Sequence, residues 1–190
     1  MRAFTTSLLP KMAAVALLAG LISCGGGSSS GTSGAGPAHP DFSGTWLLND
    51  VASDDVSEAF RRAERDPDLP GGNRQRVHEQ VSSIVATTRV FKLVQNDSTL
   101  TIMGVAGGDI VLYHDGREVE GRIEGLGTTV TKAKWDDEKL KVERRLEGGA
   151  KLATTYELLE GGRQLSLVFK VSGVRQSIEF RRIYDAAEGY

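Results

Sequence analysis

The sequence is poor in the residues that build metal, redox and nucleic-acid sites. Cys24 is the only cysteine in 190 residues, which excludes a disulfide within the chain and a cysteine-based zinc site. The three histidines lack metal-ligand spacing, and no G-x-S-x-G motif, Cys–His pair or phosphate-binding loop occurs. We therefore expect no metal, no cofactor and no catalytic residue. The net charge of −2 argues against a general nucleic-acid-binding protein.

The sequence also lacks an apolar run long enough to cross a bilayer. Residues 12–22 are apolar or small throughout. That length is too short for a stable membrane span but fits the apolar region of a signal peptide. The preceding residues carry two cations, Arg2 and Lys11, and no acid. Residues 1–23 are therefore predicted to be an export signal.

Cys24 stands directly after this segment. The residues Leu21-Ile22-Ser23-Cys24 resemble the bacterial lipobox, in which an aliphatic residue precedes the cysteine by three positions. The resemblance implies cleavage before Cys24, acylation of that residue, and attachment to a membrane of the cell envelope. Gly25 follows rather than Asp, which in double-membraned bacteria implies the outer membrane, on its periplasmic or surface face. An ordinary secretory signal and a buried helix are the alternatives.

Residues 24–40 are predicted to be the lipidated cysteine and a flexible tether. Residues 25–36 contain only Gly, Ser, Thr and Ala, a composition that cannot bury apolar surface. The 16 residues from 25 to 40 have a root-mean-square reach of about 20–24 Å. Such a tether holds a domain just off a membrane surface.

Residues 41–190 are predicted to fold as one mainly β domain. Residues 41–50 are typical of a first strand, and from residue 88 the apolar period changes from 3.6 to 2. Between them lie two apolar stripes at helical spacing: Val56, Ala59, Phe60 and Ala63, then Val77, Val81, Ile84 and Val85. Asp55 and Asn73 are expected to help these two helices begin.

About ten strands can be counted, most of them apolar on one face and polar or charged on the other. Short connections make neighbouring strands antiparallel. A long sheet with one polar, solvent-exposed face must curl to bury its apolar face. We therefore predict an antiparallel up-and-down β-barrel with a two-helix insert after the first strand. A two-sheet sandwich is the competing architecture.

Both ends of this domain resemble a known superfamily. The run Phe42-Ser43-Gly44-Thr45-Trp46 resembles the F-x-G-x-W opening of calycins, and uncharacterised exported bacterial proteins described as lipocalin-like begin similarly. Fatty-acid-binding proteins, which are calycins, place two helices between their first two strands. Their last strand carries R-x-Y, which Arg182-Ile183-Tyr184 matches here. The resemblance implies that Arg182 and Tyr184 bind a ligand carboxylate, with Arg144 as a second inward arginine.

The alternation of the strands gives these residues a physical meaning as well. It places Arg144, Arg182 and Tyr184 on the apolar side of their strands. An arginine that faces an apolar interior is costly unless it is paired, and its fork fits a carboxylate. The acidic head of an apolar ligand could therefore dock there. Alternatively, Arg182 stacks on Trp46 and closes one end of the barrel.

These observations favour a membrane-anchored lipoprotein whose barrel binds a small hydrophobic or fatty-acid-like ligand. The alternative is an envelope protein that interacts with other proteins and whose barrel is filled by its own bulky side chains, namely Trp46, Phe91, Trp135, Tyr156, Phe169 and Phe180. An enzyme is not expected, since no acid–base pair is visible in the sequence.

Overall fold

The computed structural model describes residues 39–64, 74–105, 108–123, 127–146, 149–173 and 177–187. The predicted signal at 1–23, Cys24 and the tether as far as residue 38 lie outside the described residues. The helices are α1 (Val56–Glu64) and α2 (Arg74–Thr87), and a 3₁₀ turn spans Glu160–Gly162. The strands are β1 (Gly44–Asn49), β2 (Val90–Gln95), β3 (Thr99–Met103), β4 (Ile110–Tyr113), β5 (Asp115–Ile123), β6 (Gly127–Asp136), β7 (Lys139–Arg145), β8 (Lys151–Leu159), β9 (Gln164–Ser172) and β10 (Ile178–Ala186).

All ten strands belong to one antiparallel sheet in the order β4-β3-β2-β1-β10-β9-β8-β7-β6-β5. Because β1 pairs with both β2 and β10, the first and last strands are joined and the sheet curls into a nearly closed barrel. Its two edges, β4 and β5, are consecutive along the chain but unpaired, and β4 lies beside β6 across the gap. The predicted barrel is confirmed, and the sandwich alternative is wrong.

The apolar face of the sheet is turned inward, as the alternation predicts. In β7, Leu140, Val142 and Arg144 are buried while Lys141 and Glu143 are exposed. The buried set continues around the barrel as Phe91, Leu93, Leu100, Ile102, Leu112, Ala133, Leu152, Leu165, Leu167, Phe169, Val171, Ile178 and Phe180. The dry interior is therefore the core of the domain.

Both predicted helices form, and their apolar stripes pack on this core. Asp55 caps α1, since its Oδ1 accepts a hydrogen bond from the Glu58 N–H at 3.1 Å. Ala59 and Phe60 of α1 are buried, as are Val77, Val81 and Val85 of α2. The predicted cap Asn73 and the side chain of Ile84 lie outside the described residues. None of the described helices is long and apolar enough to cross a membrane.

The calycin-like signature lies at the end of the barrel where β1 begins. Phe42 and Trp46 are buried, and the Trp46 Nε1–H donates to the Phe42 carbonyl at 3.0 Å. Gly44 has a φ of 151°, which side-chain-bearing residues rarely adopt, and a Cβ there would touch the Trp46 indole at 3.7 Å. These three residues therefore act together to start the first strand.

The segment after β1 fastens the helical insert to β10. The Ser53 hydroxyl accepts from the Ile183 N–H at 2.9 Å and lies 2.7 Å from the Asn49 carbonyl. The Asp54 N–H donates to the Arg181 carbonyl at 2.8 Å, and its carboxylate accepts from the Arg181 N–H at 2.7 Å. We call this pair of residues the Ser53–Asp54 latch. It fixes the backbone on both sides of Arg182.

We predict that Ser53→Ala lowers the free energy of unfolding by about 1–3 kcal/mol, because it removes the half-buried hydroxyl that satisfies the Ile183 N–H. Ser57→Ala, on the exposed face of α1, should change it by less than about 0.5 kcal/mol. Urea denaturation of both variants measures the difference. Equal stabilities would contradict the proposed role of the latch.

Candidate functional site

The structure places Arg144, Arg182 and Tyr184 inside the barrel. Arg144 is 5% exposed, Arg182 is 7% exposed and Tyr184 is fully buried. Arg144 lies between the exposed Glu143 and Arg145, and Arg181 beside Arg182 is exposed, whereas Ile183 between Arg182 and Tyr184 is buried as well. The predicted inward orientation is therefore confirmed for all three side chains.

The alternative position of Arg182, stacked on Trp46, is wrong. In the β1–β10 pairing Trp46 lies opposite Ala186, four residues from Arg182. At about 3.4 Å per residue that is roughly 14 Å along the strand. Among the described residues, the cation–π contact is made by Arg117 over Tyr113 instead. Arg182 therefore lies in the half of the barrel nearer the helices, away from the Trp46 end.

Each buried arginine lies beside a buried tyrosine. The positive charge of Arg144 lowers the pKa of Tyr156, and that of Arg182 lowers the pKa of Tyr184. Tyr184 slightly raises the pKa of Tyr156 as well. We call these four residues the arginine–tyrosine cluster. They come from three strands, β7, β8 and β10.

Burial dominates the electrostatics of the two tyrosines. It raises the pKa of Tyr156 and of Tyr184 above the ordinary value of 10.0, because the phenolate loses its hydration. The neighbouring guanidinium groups favour the phenolate and offset part of that rise. Both tyrosines are therefore neutral at physiological pH and add no negative charge to the cluster.

No carboxylate within the described residues pairs with either buried arginine. The ion pairs found there all involve other cations. Glu118 borders the same small cavity as Arg144, about 60 Å³, but pairs with Arg145 on the outer face. The Nε atoms of Arg144 and Arg182 are buried without a hydrogen-bond partner. The cluster thus has two positive charges and donors left to offer.

Tyr184 connects the cluster to the helices. Its hydroxyl donates to Thr88 Oγ1 at 3.4 Å, and the Thr88 hydroxyl donates to the Val85 carbonyl at 3.1 Å, at the end of α2. Phe91 of β2 meets the Tyr184 ring edge-on at 4.9 Å. A movement of the end of α2 would therefore change the position of the Tyr184 side chain.

A groove of about 530 Å³ between the helices, the loop after β1 and β10 reaches Arg182. Val56, Ser82 and Val85 of the helices line it. Its three aspartates have other partners: Asp50 pairs with Arg89, Asp54 accepts from the Arg181 N–H, and Asp55 caps α1. Arg182 is therefore the cation of this groove that keeps an unpartnered buried nitrogen atom.

A second opening lies at the unpaired edges. A slot of about 160 Å³ separates β4 from the inner faces of β5 and β6. Ile110, Leu112, Val119 and Ala133 line it, with Thr129 and Thr131. It connects the gap in the sheet with mainly apolar side chains of the interior.

The described residues contain no group of three or more His, Cys, Asp and Glu side chains that could hold a metal ion. Two members of the site were missed from the sequence. The sequence predicts Tyr156 only as a bulky side chain that fills the barrel, although Tyr156 shares the inward face of β8 with Leu152 and Thr154. Thr88 had no sequence signal, because its contact with Tyr184 depends on where the residue after α2 lies in the folded domain.

Comparison with known proteins gives the class of fold. No protein-family model matches the chain, and no curated protein matches its sequence. Lipid binding protein 8 from Caenorhabditis elegans matches with a TM-score of 0.50 and 12% identity, over 77% of this chain and 95% of that one. The fatty-acid-binding protein from Manduca sexta gives 0.50 and 15%, over 76% and 98%.

Secretory abundant heat soluble protein 4 from Ramazzottius varieornatus also matches, with a TM-score of 0.51 and 16% identity, over 77% of this chain and 95% of that one. At such identities the likeness shows the fold alone. The chain therefore has the barrel fold that these solved structures share. The lipoprotein signal stays a prediction.

We predict that stability falls as the pH rises through 10.0, since the folded-state pKa values of Tyr156 and Tyr184 are raised above that unfolded value. The unfolded chain then loses phenolic protons that the folded chain still holds. Lysines titrate in the same range, so the comparison is with the double variant Tyr156→Phe, Tyr184→Phe. Urea denaturation on either side of pH 10.0 should show a smaller fall for that variant. An identical fall would contradict buried, neutral phenols.

Proposed function

We propose that this domain binds a small hydrophobic molecule with an acidic head group, of the fatty-acid class. The observation that carries the proposal is the pair of buried arginines with no carboxylate partner among the described residues. A guanidinium group stays ionised in proteins, so its burial is costly until an anion pairs with it. A ligand carboxylate would supply that anion and accept two parallel hydrogen bonds.

The apolar part of the ligand would lie against the inward side chains of the barrel. Binding would then gain about 25 cal/mol for each Å² of apolar surface removed from water. The groove between the helices and β10 supports entry from the helical side, because it already reaches Arg182. In this proposal α1 and α2 form a lid, and the contact of Tyr184 with Thr88 couples the lid to the bound head group.

We further propose that the domain is held at the cell envelope by lipid attached to Cys24, with residues 1–23 removed and residues 24–40 as tether. The support is the lipobox-like sequence, the short apolar segment before it and the Gly/Ser composition after it. Several acyl chains on one cysteine hold a protein far more firmly than a single chain does. The outer membrane is the proposed location in a double-membraned host.

A second candidate is a protein that uses the barrel only as a scaffold for interactions with envelope partners. It is favoured by the aromatic packing inside, where Phe169 and Phe180 stack at 5.0 Å and Phe91 packs on Tyr184. The two candidates differ in whether a ligand enters, which is measurable.

We predict that Arg182→Gln weakens binding of a long-chain fatty acid by about 10- to 100-fold, the loss expected from one charged hydrogen-bonding group. The matched control is Arg181→Gln, which removes the same charge from the next residue, on the solvent side. Isothermal titration of the full chain measures both. The control should bind like the wild type.

If Arg181→Gln and Arg182→Gln weaken binding equally, the carboxylate contact is contradicted, since net charge alone then explains the loss. If the wild type binds no fatty acid, the scaffold candidate is favoured. Thermal unfolding of each variant without ligand shows whether it is folded.

We predict that Cys24→Ser abolishes incorporation of radioactive palmitate into the protein and moves it from the membrane fraction to the soluble fraction. The reason is that serine lacks the sulfur atom to which the lipid of a lipobox cysteine is attached. Fractionation of the expressing cells checks the location. Continued membrane attachment of the variant would contradict the lipid anchor.

A further inference from the structure

Among the described residues, the most exposed large apolar side chains lie on β1, β2, β4 and the loop after β1. They are Leu47 of β1, Val51 in the loop after it, Val90 and Val94 of β2, and Val111 of β4. Their exposed fractions run from 36% for Leu47 to 98% for Val51. Isolated exposed apolar residues are normal, but five on adjacent elements form a surface. We call the outer face of β1 to β4 the apolar face.

The strand register places four of these side chains in two groups. Leu47 lies directly opposite Val90 in the β1–β2 pair. Val94 lies opposite Thr101 of β3, and Thr101 lies opposite Val111 of β4. Side chains opposite one another on one face of a sheet are within contact distance. The apolar face thus has two apolar parts, Leu47 with Val90 and Val94 with Val111, and the exposed Lys92 lies between them on β2.

The opposite side of the barrel has a different character. Its outer face carries ion pairs from strand to strand: Lys139 with Glu157, Lys141 with Asp136, and Arg145 with Glu118. A surface covered with such pairs favours water on that side. The outer face of β5 to β8 is therefore more highly charged than that of β1 to β4, which carries Lys92 and, at one end, the Asp50–Arg89 pair.

The chain enters the domain beside the apolar face. The Gln95 side chain, at the end of β2, donates from Nε2 to the Pro40 carbonyl at 2.9 Å and accepts from the Phe42 N–H at 3.1 Å. The Gln95 N–H donates to the Ser43 hydroxyl at 3.0 Å. The end of the tether is therefore clamped to the strand that carries Val90 and Val94.

We propose that the apolar face of β1 to β4 docks on the surface of the lipid bilayer to which the protein is anchored. This inference rests on the proposed lipid anchor at Cys24. A tether with a reach of about 20–24 Å, fixed beside Val94, keeps the apolar face close to the membrane. Docking would remove the exposed valines and Leu47 from water, which is the gain that holds interfacial segments on bilayers. The charged outer face would stay in solution.

The test uses the full-length acylated protein in vesicles of phosphatidylethanolamine and phosphatidylglycerol, with one spin label on Val94→Cys. The matched control is Lys170→Cys on the outer face of β9, which is exposed. The sulfur of an acylated Cys24 cannot take the label. Collision rates with lipid-soluble oxygen and with a water-soluble nickel chelate are measured at each position. We expect the oxygen-to-nickel ratio at Val94→Cys to be several-fold higher than at Lys170→Cys.

Equal ratios at the two positions would overturn the docking proposal. Spin–spin broadening at Val94→Cys with low access of both reagents would also overturn it, because a second copy of the chain would then cover the face. In the background Leu47→Ser, Val90→Ser the ratio at Val94→Cys should fall towards the control. Mass spectrometry of the N-terminal peptide reports acylation separately. A non-acylated chain contradicts the anchor and the docking together but leaves the fatty-acid titration unaffected.

Discussion

Two guanidinium charges inside an otherwise apolar barrel set the main energetic constraint on this domain. The sheet curls to hide its apolar face, and Arg144 and Arg182 go inside with it. Tyr156 and Tyr184 approach them, but burial keeps both phenols neutral. Hydrogen bonds from neutral partners offset only part of the cost of burying a charge. The cluster is therefore a place where an anion from outside the chain stabilises the fold most.

The helical insert is tied to the same place from two directions. The Ser53–Asp54 latch holds the backbone of Arg181 and Ile183, on either side of Arg182. At the other end of the insert, Thr88 accepts the Tyr184 hydroxyl. Opening of the helices would disturb both residues of the R-x-Y pattern at once. These contacts support the proposal that the helical insert both covers the barrel and responds to a bound head group.

The barrel fold and most of the inward side chains of the site could be predicted from the sequence, because strand alternation assigns each side chain to a face. It correctly placed Arg144, Arg182 and Tyr184 inside, and the helical spacing found α1 and α2. Alternation says nothing about how far a long side chain reaches, so the pairing of Arg144 with Tyr156 was missed. Nor does it identify unpaired edges, which here are β4 and β5. The contact of Asp54 with the Arg181 backbone likewise depends on the closure of β1 onto β10, which brings the two segments together.

The most direct test of the central claim is mass spectrometry of small molecules that copurify with the full-length protein from its own membranes. The account predicts an acidic, long-chain lipid in stoichiometric amount, and its loss from the double variant Arg144→Gln, Arg182→Gln. A wild-type protein that carries no acidic lipid, although its buried arginines are intact, would contradict the account. So would the same lipid content in both proteins.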